Sequence, residues 1–123
     1  MAIFFAVFVA VIHSFIFYLE SLAWGRPSTN RIFRMSEDEA RTNRTFAFNQ
    51  GFYNLFLAVG IVVGIALKFS GRTAEGGILL DFACLSVLGA GFVLFMSGPA
   101  RRNPAMVQAL PALGYLGFRF LGY

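Results

Sequence analysis

The chain has 123 residues, 58% of them hydrophobic and 13% charged, with a net charge of +4 at pH 7. Soluble domains carry about a quarter charged residues, so this composition excludes an ordinary soluble fold and points to a single all-α integral membrane domain over residues 1–123. The basic residues lie in short connections between apolar runs, which reads as orientation in a bilayer rather than as a nucleic-acid surface, and the single Cys84 excludes an internal disulfide.

The first apolar run, "MAIFFAVFVAVIHSFIFYLE", has no basic leader and no clear small-residue cleavage site, so it reads as a retained span, residues 2–24. "GRPSTN", Gly25 to Asn30, is a turn-rich break. The second helix is expected over 37–69. It opens on a capping box, Ser36 with Glu39. Glu37, Asp38 and Glu39 suit the positive end of the helix dipole, and Glu37 to Arg41 is an i,i+4 pair. No Pro interrupts the run to Lys68, which predicts one continuous helix projecting about three turns into the cytoplasm before entering the membrane. The third helix, 74–97, carries Gly77, Cys84, Ala90 and Gly91, residues suited to close helix packing, with Cys84 a small core side chain. Asp81 on the same helix reads as an interfacial residue or part of a surface ion pair near Lys68, Arg72 and Glu75. After the "SGPARRNP" break the fourth helix is expected over 104–121, its backbone loosened at Pro111 and its terminal Arg119 able to snorkel.

Orientation follows from the ten Lys and Arg residues. Arg26, Arg31, Arg34, Arg41, Arg44, Arg101 and Arg102 fall on one side; Lys68, Arg72 and Arg119 fall on the other. The positive-inside rule places the larger group in the cytoplasm and both termini outside. The expectation is a four-helix bundle in the bacterial inner (plasma) membrane.

Within these spans the polar residues are few. His13, Glu20 and Trp24 share one face of the first helix, with Glu20 about 6 Å and His13 about 16 Å from its exit. Gln50 and Asn54 share a face of the second helix, with Asn43 a further two turns back. Asn49 and Tyr53 form a neighbouring stripe. Gln108 lies about one turn into the fourth helix. Orientation and helical rise put Glu20, Gln50, Asn54 and Gln108 at one depth in the cytoplasmic half, under a cationic rim of Arg41, Arg44, Arg101 and Arg102. Such a pocket suits a zwitterionic or anionic small molecule. The bland reading is that Asn49, Gln50 and Asn54 only join helices, that one backbone carbonyl satisfies His13, and that the arginines only orient the chain. A carboxylate at that depth is harder to explain by packing. No metal signature is present, since one His with few carboxylates at matching depth makes a poor ligand set. No nucleophile–base pair or phosphate loop is recognisable either.

"HSFIFYLESLAW", "FNQGFYNLFLAVG" and "VQALPALG" resemble the small bacterial membrane proteins of the DUF1304 family over nearly the whole chain. That likeness implies an architecture and no settled activity. A more distant likeness is to the MAPEG enzymes of eicosanoid and glutathione metabolism, whose second helix carries E-R-x-x-R-A-x-x-N-x-x-E. Arg41 and Arg44 match its two arginines, and Arg101 with Pro111 matches an Arg-to-Pro spacing on the fourth helix. This resemblance implies four spans with both termini on the non-cytoplasmic side, and a trimer. Its Asn and Glu fall on Phe48 and Gly51, so glutathione is doubtful and the cofactor stays unassigned. The expectation is a homo-oligomer, with a trimer favoured, binding a small molecule or lipid-like ligand at His13, Glu20, Asn49, Gln50, Asn54 and Gln108. Two other readings stay open. One is a proton-coupled carrier or channel using His13 and Glu20. The other is an accessory subunit whose polar residues only fix packing.

Overall fold

A computed structural model describes residues 1–123. It contains six α-helices and no strand: α1 (Ala2–Phe17), α2 (Pro27–Phe33), α3 (Glu37–Thr42), α4 (Arg44–Phe69), α5 (Thr73–Met96) and α6 (Arg102–Phe120). A π-helical turn, Tyr18–Leu22, continues α1, and a 3₁₀ turn, Pro99–Arg101, precedes α6. Three segments are long and apolar enough to cross a membrane: Ala2–Leu22, Arg44–Phe69 and Thr73–Met96. The fourth expected span, α6, has 19 residues and includes Arg102, Asn103, Gln108 and Arg119, so length and composition mark three spans.

The four long helices lie side by side, α1 on α4, α4 on α5, α5 on α6, and α6 back on α1. Neighbours are antiparallel. The Ala2 N–H donates to the Tyr123 carbonyl at 3.4 Å, and Phe5 stacks on Phe118 with ring centroids 5.5 Å apart, so α1 starts where α6 ends. Missing side chains permit the closest approaches. A Cβ on Gly76 of α5 would lie 2.5 Å from the Gly64 carbonyl oxygen of α4. A Cβ on Gly91 of α5 would lie 2.8 Å from the Ala109 Cβ of α6. Such small-residue contacts let membrane helices gain van der Waals packing without a hydrophobic driving force. The core between them holds Ala6, Val9, Ile61, Leu80, Cys84, Val87 and Tyr115, and Cys84 is fully buried there.

Only 27 of the 123 residues are buried, while Phe8, Phe46, Phe56, Phe69, Phe82 and Phe92 are all more than half exposed. An apolar exterior of this extent is expected where lipid is the solvent.

Three local features differ from the sequence expectation. The first helix does not run regularly to Trp24; it ends at Leu22 through the π turn, in which the Ala23 N–H bonds five residues back to the Tyr18 carbonyl. "GRPSTN" is not only a break. Pro27 sits in the first turn of α2, whose end is closed by Arg34 in the left-handed conformation. Pro suits that position because it lacks an N–H that would have no partner there. The second long helix is interrupted at Asn43, with φ −94° and ψ 5°. Its side-chain amide donates to the Glu39 carbonyl at 2.9 Å, a local bond of the kind with which Asn competes against regular helix. The capping box at Ser36 and Glu39 forms with both of its hydrogen bonds, and it starts α3 alone. Arg41 pairs with Asp38 at 2.9 Å, not with Glu37.

Candidate functional site

The contact between α1 and α4 is built around Gly51. A Cβ there would overlap Ser21 Oγ and stand 3.1 Å from the Glu20 Cβ, so the π turn lies directly on the α4 backbone. Ser21 Oγ donates to the Phe48 carbonyl at 2.8 Å. Asn54, one turn further along α4 and buried, donates from Nδ2 to Glu20 Oε2 at 2.9 Å and to the Gln50 carbonyl at 3.1 Å. The carboxylate and the buried amide are therefore joined, and the wider π turn is what delivers Glu20 to this position. Glu20 is only partly buried. Its Oε1 has no hydrogen-bond partner within the chain and is not sealed from the surface. No Lys or Arg nitrogen lies within ion-pair distance of it.

The other residues expected at the pocket are distributed differently. Gln50 contributes its backbone carbonyl to Asn54, and its side chain is exposed. Asn49 is also exposed, in line with Phe46, Tyr53, Phe56 and Val63 on the outer face of α4. Gln108 is half-buried and makes no hydrogen bond to Glu20 or Asn54; α6 packs on α1 and α5, across from α4. His13 is buried, with Nδ1 2.9 Å from the Val9 carbonyl of its own helix.

The arginines do not form one rim. Arg41 and Arg44 line an open cavity of about 210 Å³ with Gly25, Glu37 and Ala40. The Arg44 guanidinium lies beside Gly25, whose φ is +83°. Arg102 instead lies 5.1 Å over the Phe95 ring, and neither it nor Arg101 borders that cavity. Above the π turn the chain is strapped down by Trp24, whose Nε1 donates to the Ala40 carbonyl at 2.7 Å and whose ring meets Phe33 at 5.3 Å.

Sequence reasoning missed a second polar cluster. Tyr115 Oη donates to Asp81 Oδ1 at 2.7 Å, and Arg119 Nε stands 3.4 Å from the same oxygen. Asp81 thus pairs across to α6 and not with Lys68 or Arg72, which instead forms an i,i+3 pair with Glu75. The signal was present as Tyr115 and Arg119 one turn apart on the last helix. Thr29 Oγ1 and Asn30 Oδ1 of α2 are buried with no hydrogen-bond partner. No group of His, Cys, Asp and Glu residues is arranged to hold a metal ion.

No curated protein and no solved structure matches the chain. A family model described as "Protein of unknown function (DUF1304)" matches residues 7–119. That match takes in Glu20, Gly51, Asn54, Asp81, Tyr115 and Arg119, and with it the chain belongs to the DUF1304 family.

Proposed function

We propose that this chain is a four-span membrane protein that binds a small amphiphile at the α1–α4 contact, with Glu20 as the polar anchor. The observation that carries this reading is the free Oε1 of Glu20. A carboxylate within an apolar span needs donors, Asn54 supplies one to Oε2, and the remaining acceptor faces outward. A hydroxyl or amine on a ligand completes it. Arg44 is seven residues before Gly51, about 10 Å along α4, so a zwitterionic headgroup fits with its cationic end at Glu20 and its anionic end toward Arg44. The π turn supports the reading, since single π turns within α-helices are frequent at functional sites.

A MAPEG-like enzyme is the narrower form of the same proposal. Where that pattern has a Glu on the second long helix, this chain has Gly51, and the Glu20 Cβ lies 3.1 Å from the place a Gly51 Cβ would take. The carboxylate in this position comes from α1 instead. Assembly into a homo-oligomer, a trimer by that likeness, draws on the outer face of α4. The Asn49 amide and Tyr53 hydroxyl are exposed there without side-chain hydrogen bonds, and a neighbouring copy offers matching donors and acceptors. The carrier reading has less support, because His13 is bonded within its own helix.

Native mass spectrometry with short-chain sphingosine, an amphiphile with an amine and hydroxyls and no phosphate, tests the site. The wild type is expected to retain it in mild detergent, Glu20→Ala to lose it, and Asp81→Asn to keep it. Absence of the adduct in the wild type, or an adduct indifferent to Glu20, overturns the proposal.

A further inference from the structure

At the opposite end of the long helices an open cavity of about 320 Å³ lies between the start of α1 and the ends of α4 and α6. Its polar lining is Lys68, Tyr115 and Arg119; Ala2 and Ile3 supply an apolar wall. We infer that this cavity is a binding site for an oxyanion of the phosphate type, held by Lys68 and Arg119.

The cations here are positioned, not merely present. The stem of Lys68 is seated against Gly76, where an added Cβ would come within 2.7 Å of Lys68 Cγ and 2.9 Å of its backbone nitrogen. The Arg119 guanidinium runs over α5, with one terminal nitrogen 3.2 Å from where a Gly77 Cβ would stand, and its Nε is turned toward Asp81. Asp81 also accepts from Tyr115, so one carboxylate fixes the phenol and the guanidinium together. The charges do not balance. Asp81 pairs with Arg119 alone, and Lys68 has no anionic partner. Met1 and Tyr123 also border the cavity. One positive charge is left over beside a half-exposed guanidinium edge. A phosphate offers the acceptor oxygens and the negative charge that such a pair of cations lacks. The apolar wall leaves room for an attached chain, so the same chemistry arrives from a lipid headgroup or from a soluble phosphorylated compound.

Two probes separate those sources. The purified full chain in mild detergent is titrated with short-chain phosphatidylglycerol and, separately, with glycerol 3-phosphate, reading binding by native mass spectrometry and by the midpoint of thermal unfolding. Lys68→Gln is the decisive variant, because Lys68 is in no ion pair and its loss leaves the Asp81 cluster intact. Binding of either probe that weakens at least about tenfold in Lys68→Gln and is unchanged in Arg72→Gln, a cation at the same end that does not line the cavity, supports the site, and the probe that binds names the source. Arg119→Lys keeps the charge and loses the planar fork, and is expected to weaken binding less than Lys68→Gln does. Failure of both probes to bind the wild type, or equal binding by the wild type and Lys68→Gln, overturns the inference. Loss of the phosphate-free amphiphile from Glu20→Ala, by contrast, bears only on the other end of the molecule.

Discussion

Glu20 and Asp81 are both carboxylates set in apolar helices, near opposite ends of the molecule, and they are held in different ways. Asp81 receives a phenol and a guanidinium from α6. Its charge is answered within the protein, and the result is a clasp between two helices. Glu20 receives one amide from α4 and no cation. Its neighbours allow close approach: Gly51 has no side chain, and Ser21 spends its hydroxyl on the Phe48 carbonyl. Asp81, with a phenol and a guanidinium on the same Oδ1, has its charge paired inside the protein. Each acid keeps one oxygen without a partner in the chain, so what separates them is the cation that Asp81 has and Glu20 lacks, and under the proposed function a ligand supplies what is missing at Glu20.

The largest expected effects test how closely the helices pack at each end. Gly76→Ala, at the Asp81 end, puts a Cβ 2.5 Å from one backbone atom and 2.9 Å from another. Neither can rotate away, so the loss is expected to be about 3 kcal/mol, read as a shift in reversible unfolding in detergent. Gly51→Ala meets the rotatable Ser21 hydroxyl first and is expected to cost about 1–2 kcal/mol. Gly60→Ala meets nothing within 4 Å and serves as the neutral control. Equal effects at all three would remove the tight contact from the account.

The next pair of substitutions probes the hydrogen bonds themselves. Asn54→Ala takes away the single side-chain donor of Glu20, and about 1–2 kcal/mol of stability is expected to go with it. Tyr115→Phe leaves Asp81 still paired with Arg119, so the cost falls to about 0.6 kcal/mol. Reversal of that order would mean that Glu20, not Asp81, is the better compensated acid. A double-mutant cycle on Asp81 and Arg119 is expected to give about 0.2–1 kcal/mol, because the Arg119 side chain is 42% exposed. Apart from the Gly60→Ala control, the smallest change in stability, within about 0.5 kcal/mol, is expected for Glu20→Gln. It preserves an acceptor for Asn54 and removes the charge, so ligand retention falls while the melting curve barely moves.

The apolar runs, the capping box and the burial of Cys84 were legible because each follows from local composition or spacing. So was a contact between Glu20 and an amide of α4, since an acid and an amide at equal depth on adjacent helices have few other partners, but depth did not choose between Gln50 and Asn54, and the bond falls to Asn54. Gln108 shows where that argument stops. Depth says nothing about which helices are neighbours, and α6 packs beside α1 and α5 while the amides lie on α4. Asn49 and Gln50 show the same limit on a single helix, where i,i+4 spacing groups residues on a face without saying which way the face points. The break at Asn43 was hidden because no Gly or Pro marks it; a side-chain bond to Glu39 does. Pro27 is visible in the sequence, but a Pro that suits a turn equally starts a helix, as it does here. Nothing in "YLESL" announces a π turn. It forms where tertiary contacts with Gly51 and Phe48 favour a wider helix.

That turn also constrains how the sequence can change in length. A π turn accommodates one residue more than the α-helix around it needs. Deleting a residue within Tyr18–Leu22 would restore regular geometry and turn everything before it by about 100° relative to everything after it. Val9 and His13, now buried, would swing toward lipid, or else Glu20 would leave Asn54. The residue count across this turn is therefore hard to change. Relatives of this chain are expected to vary in length at the α2–α3 connection and at the termini, and to keep the count from His13 to Trp24.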